Sequence, residues 1–207
     1  MTVTAVIFDI GNVLIEWQPE RFFDRAVGVD RRRALFDAVD LHGMNDRIDR
    51  GADFREVICE TARANPDFDA EIRMWHDNWI ELASPEIPRS VSLLRALKAN
   101  GVPVFALSNF GRASFDVACA HYPFLDAFDR RYISGRLGVT KPDPKIYEMV
   151  EADCGHAPER LLFTDDRPDN IAAARARGWQ VHLFDGPQGW RARLMAEGLL
   201  TSKEVPA

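Results

Sequence analysis

The chain has 207 residues, 46% of them hydrophobic and 28% charged, which is enough for one substantial core or for one core with a small inserted unit. Its formal charge of −6 speaks against nucleic acid as a partner, because phosphate backbones are met by basic faces. No segment approaches the roughly 18 apolar residues of a membrane span, and the start lacks the basic region and cleavage site of a secretory signal, so no membrane association and a cytoplasmic location are expected. Cys59, Cys119 and Cys154 are widely spaced with no Cys-x-x-Cys pair, which indicates neither a disulfide framework nor a zinc site.

In chain order, the apolar run at 3–8 predicts a buried strand that ends at Asp9 and opens the turn Ile10-Gly11-Asn12. From 18 to 82 only helical stripes follow: Phe22, Phe23, Ala26 and Val27; Phe54, Val57, Ile58 and Ala62; Ile72, Trp75 and Trp79. Ser84-Pro85 then reads as an N-cap with a first-turn proline, starting a helix lined by Ile87, Val91, Leu94 and Leu97 and ended by Gly101. Strand-like runs at 102–107, 131–133, 161–164 and 180–184 alternate with helical stretches at 112–121, 144–151, 170–177 and 190–197. That alternation predicts an α/β fold, a doubly wound, mainly parallel Rossmann-like sheet built from right-handed crossovers. The expected core is 1–17 and 83–207, with an all-helical insert at 18–82 that overhangs the carboxyl edge of the sheet as a lid.

Chemistry is expected at that edge, where open α/β sheets bind their ligands. Asp9 ends the first strand and Asp165-Asp166 ends the run at 161–164. Carboxylates on neighbouring strands could share a divalent cation and leave one free to attack an electrophile. Ser108-Asn109 follows the run at 102–107 and offers a hydroxyl and helix-start amides to phosphate oxygens. Lys141, in a loop stiffened by Pro142 and Pro144, offers an ammonium to neutralise charge. The histidines His42, His76, His121, His156 and His182 show no ligand spacing and read as structural or surface residues.

Phe8-Asp9 with Val13, Leu107-Ser108-Asn109, Lys141-Pro142-Asp143-Pro144 with Ile146-Tyr147, and Asp165-Asp166 with Asn170-Ile171 and Ala173-Ala174 occur in that order. The set closely resembles the haloacid dehalogenase-like hydrolase superfamily, with the helical insert in the position of its C1 cap. The segment from Phe8 to Leu14 looks most like the branch that includes α-D-glucose-1-phosphate phosphatase and the N-terminal phosphatase domain of soluble epoxide hydrolase. The resemblance implies an aspartyl-phosphate on Asp9 and a magnesium ion held by Asp9, the Gly11 carbonyl and Asp166, with Asp165 acting through water or by orienting the others. It further implies that Ser108 binds phosphate and Lys141 neutralises charge; Ser108, Asn109 and Lys141 are the expected substrate-binding residues. The expected substrate is a small phosphorylated metabolite, for example a sugar phosphate.

One position departs from the family pattern. Most of its phosphatases carry a second aspartate two residues after the nucleophile, and here Gly11 stands there. A carboxyl there would protonate the leaving oxygen and later activate water, help worth roughly 10²–10⁴-fold. Its loss implies another acid, for which Glu16, Asp46 and Asp49 are candidates, or a bias toward esters with good leaving groups. Trp17, Arg21, Arg47, Arg50, Trp75 and Trp79 are the insert residues that could touch substrate. Two alternatives compete: a 2-haloacid dehalogenase using Asp9, whose halide leaves without a proton, and a non-catalytic binding member of the fold. Oligomeric state is not indicated.

Overall fold

The structure, a computed structural model, describes residues 2–204. Strand β1 (Ala5–Phe8) leads through the turn at Asp9 to Asn12 into the short strand β2 (Ile15–Trp17). Six helices follow: α1 (Pro19–Val27), α2 (Val29–Ala38), α3 (Leu41–Asp49), α4 (Phe54–Ala64), α5 (Asp69–Asp77) and α6 (Trp79–Leu82). The chain returns through β3 (Ala83–Glu86) and α7 (Pro88–Ala99) to β4 (Val104–Ser108), α8 (Arg112–His121), β5 (Arg130–Ile133) and α9 (Ser134–Leu137). It ends with α10 (Pro144–Cys154), β6 (Leu161–Asp165), α11 (Pro168–Ala176), β7 (Gln180–Leu183) and α12 (Pro187–Ala196).

The main sheet has the order β5-β4-β1-β6-β7, and all its neighbours are parallel. Because β1 is central, its chain runs to β4 on one side while β6 closes on the other, which leaves a crevice at its carboxyl end. Phe8 is in register with Ala106 of β4 and Thr164 of β6, so Asp9, Ser108 and Asp165 leave the sheet side by side.

The β1 residues are all buried, as expected for a strand covered on both faces. Their alternation divides the interior. Ala5 and Ile7 pack with Phe105, Leu107, Phe163 and the α10 and α11 residues Tyr147 and Ile171 on one face. Val6 and Phe8 belong to the other apolar layer, which continues without a break through Leu94 and Trp190 into Phe23, Leu35, Ile58 and Trp75 of the helical segment. Helical packing and sheet packing thus share one core.

The expectation at Ser84-Pro85 is corrected. These residues lie in β3, which pairs antiparallel with β2 through Ile15↔Glu86 and Trp17↔Ala83, and α7 begins four residues after Ser84, at Pro88 with Ile87 as N-cap. This two-stranded ribbon carries the chain out to the helices and back. No helix among the described residues is long and apolar enough to cross a membrane.

Candidate active site

A cavity of about 440 Å³ opens at the carboxyl end of β1. Asp9, Gly11, Ser108, Asn109, Lys141 and Asp166 line its floor, and Trp17, His42, Asn45, Asp46, Asp49, Trp75 and Trp79 line its helical side. Arg21, Arg47 and Arg50 are not among the lining residues: Arg21 pairs with Glu16 at 2.6 Å, and Arg47 with Glu60 at 2.6 Å on the surface. Trp75 and Trp79 are buried and face the cavity at once, packed on Trp17 at centroid distances of 5.7 and 6.2 Å.

All the hydrogen bonds found at the Asp9 carboxylate converge on Oδ1, which accepts from the Ile10 amide at 2.7 Å and the Ser108 hydroxyl at 2.7 Å. The Lys141 ammonium lies 3.0 Å from the same oxygen. Oδ2 is left as the oxygen for an incoming electrophile or cation. Burial pushes Asp9 up to about 7, against the lowering pull of Lys141. Lys141 shows the complementary balance: burial pulls it down, but Asp165 and Asp9 together hold it above its ordinary value, so it stays an ammonium.

Asp165 is fully committed. Its oxygens accept from Lys141 Nζ at 2.6 Å, the Arg167 amide at 2.8 Å and Asn170 Nδ2 at 2.9 and 3.0 Å, and it is absent from the cavity lining. Such a carboxylate fixes its neighbours instead of offering a free oxygen. Asp166, half-buried and lining the cavity, is steered by Asn12 Nδ2 at 3.0 Å, and burial raises its pKa. Carboxylate oxygens of Asp9, Asp165 and Asp166 lie within 4.8 Å of one another. This all-oxygen donor set suits a hard divalent cation such as magnesium.

Two roles were not visible in the sequence. Asn12 adopts φ +54°, a left-handed turn that asparagine tolerates, and its side chain bridges the Trp17 amide at 3.0 Å and Asp166. Asn109 exchanges hydrogen bonds with the Lys141 backbone at 2.9 and 2.8 Å, so its amide group anchors the lysine loop. Asn-rich turns carry a general signal for side-chain to backbone bonding, but nothing local names the distant partner.

Residues 3–178 match the haloacid dehalogenase-like hydrolase family, and the chain belongs to it. It is a hydrolase of that family on the mainly parallel α/β fold described above. Over 187 residues it is 28% identical to a sesquiterpene phosphatase of Aspergillus oryzae, covering 89% of this chain and 91% of the relative. It is 21% identical over 204 residues to a D-ribitol-5-phosphate phosphatase of Bacteroides thetaiotaomicron, covering 93% and 97% of the two chains. A family enzyme from the same organism, solved in complex with magnesium and inorganic phosphate, superimposes with a TM-score of 0.69 at 24% identity over 87% of this chain and 93% of that one.

Proposed function

We propose that this hydrolase is a magnesium-dependent phosphatase that cleaves a small phosphorylated metabolite through an aspartyl-phosphate on Asp9. The observation that carries the reading is the Lys141 ammonium wedged between Asp9 and Asp165, beside a third carboxylate, at the floor of a cavity of suitable size. Asp9, Asp166 and the Gly11 carbonyl would hold the magnesium ion, with Asp165 orienting them through Lys141 and Asn170. When bound, the ion polarises the phosphoryl group and favours ionised Asp9.

Each side chain then has a task. Asp9 Oδ2 attacks phosphorus while the Ile10 amide and the Lys141 ammonium hold Oδ1 in place. Lys141 offsets the charge that gathers on the transferring group, and the Ser108 hydroxyl turns from Asp9 to a phosphate oxygen as the substrate enters. The segment 18–82 serves as the cap, its tryptophans excluding water and its polar residues His42, Asn45 and Asp46 meeting hydroxyls of the substrate. A sugar phosphate fits this mixed lining, in keeping with the branch that the Phe8 to Leu14 segment resembles.

The dehalogenase alternative is disfavoured by Asp166, which would face an anionic carboxylate substrate with uncompensated charge. The experiment is phosphate release from para-nitrophenyl phosphate with and without magnesium. Wild type should turn over only with the ion, and Asp9→Asn should lose on the order of 10³-fold or more. Metal-independent halide release from 2-chloropropionate, or undiminished phosphatase activity in Asp9→Asn, would overturn the reading.

A further inference from the structure

We infer that Asp49, at the end of α3, is the acid and base of this site: it protonates the leaving oxygen and later takes a proton from water, in place of the carboxyl that Gly11 lacks. The inference rests on the phosphatase reading above. Asp49 lines the same cavity as Asp9 and Lys141. Among the three candidate carboxylates, Glu16 is tied to Arg21 at 2.6 Å and Asp46 is exposed, whereas Asp49 is half-buried and held in place.

The hold is specific. Asn45 Nδ2 donates to Asp49 Oδ2 at 2.9 Å, and Trp75 Nε1 donates to Asn45 Oδ1 at 3.3 Å, so a chain of two bonds sets the carboxyl from the helical side. From the sheet side the Ser134 hydroxyl donates to the Asp49 carbonyl at 2.6 Å. Glycines let the backbones meet: a Cβ on Gly51 would fall 2.9 Å from the Gly135 carbonyl, and one on Gly111 would fall 2.5 Å from Ile48. The end of α3 is thereby pressed against the starts of α8 and α9.

The charges around it suit proton transfer. Asp46 lies on its own helix and His42 one turn further back, Glu16 is on β2, and Asp9, Lys141, Asp166 and Arg167 line the same cavity. Burial pushes Asp49 up to about 7 and Asp46 adds to this, while the Gly111 amide and Lys141 oppose it. Both protonation states are therefore populated near neutral pH, the condition for one group to serve both half-reactions.

In the first half-reaction Asp9 bonds to phosphorus, the ester P–O bond breaks, and its oxygen takes the Asp49 proton. In the second, water bonds to phosphorus and passes a proton to the Asp49 carboxylate. The Asp9–phosphorus bond breaks, inorganic phosphate leaves, and Asp49 is again protonated.

The test compares glycerol 2-phosphate, a poor leaving group, with para-nitrophenyl phosphate, in magnesium, for wild type, Asp49→Asn and Asp49→Asn/Gly11→Asp. Asp49→Asn keeps the acceptor for Asn45 and should lose about 10²–10⁴-fold on the glycerol ester. On the aryl ester it should release a burst of nitrophenolate equal to the enzyme concentration and then turn over slowly, because only the second step still needs the base. A Cβ on Gly11 meets nothing within 4 Å, so the double variant has room for a carboxyl and should recover at least tenfold on the glycerol ester. Equal losses on both esters without a burst, or no loss, would overturn the role of Asp49. A wild type inactive on both esters would instead overturn the phosphatase reading.

Discussion

Lys141 shows how much of this site is decided by one buried charge. At 3% exposure it neutralises two buried carboxylates that would otherwise face each other uncompensated. Replacing it with methionine leaves Asp9 and Asp165 unpaired, a change that costs about 3–5 kcal/mol, and urea denaturation should show that loss. Asp49 predicts an effect of the opposite sign. Its folded pKa of about 7 exceeds its ordinary 3.8, so between those values the folded state holds the extra proton and stability falls as pH rises. Asp49→Asn removes that fall. In the presence of EDTA the variant should match wild type near pH 4 and exceed it by about 1 kcal/mol or more above pH 7, as read from urea midpoints at both ends. Of the residues involved, Asp9, Ser108, Lys141, Asp165 and Asp166 were legible because they sit at the end of an apolar run or in a loop punctuated by prolines. Asp49 stood out only as one of three carboxylates, since its burial is a property of α3 docking on Gly111 and Gly135, which no local pattern encodes.

Elements differ in the same way. The runs that became β1, β4 and β6 are apolar on both faces and announce themselves, and α7, α10 and α11 start at or near prolines whose missing amide is no loss in a first turn. The ribbon of β2 and β3 escaped notice because Ala-Ser-Pro-Glu has no alternation and its proline resembles a helix start; only the pairing with Ile15 and Trp17 makes it a strand. The α3 terminus is the element most sensitive to a small change. Gly51 has φ +100° and no room beyond its Cα, so Gly51→Ala should cost about 1–3 kcal/mol of stability. It should also shift Asp49, lowering turnover of glycerol 2-phosphate more than the nitrophenolate burst, which the two assays already described would separate.

For the whole molecule, the proposed magnesium site is assembled only by folding, which brings the carboxylates of Asp9 and Asp166 together from distant parts of the chain, so the ion would bind the folded state in preference to the unfolded one. Magnesium at a hundredfold excess over its Kd should add about 2.7 kcal/mol, or a rise of about 5–10 °C in the thermal midpoint, and Asp166→Asn should abolish most of it. The ribbon has a consequence for how such a molecule can change over generations. Trp17 and Ala83 are direct partners, so the helical segment enters and leaves the sheet layer through a single doorway. A segment exchanged at that doorway would leave Asp9, Ser108 and Lys141, which lie outside it, in the chain, but on the reading above it would have to bring a carboxyl to replace Asp49. The incoming segment must bring an apolar underside of its own, because Phe23, Leu35 and Trp75 complete the same core as Val6 and Phe8.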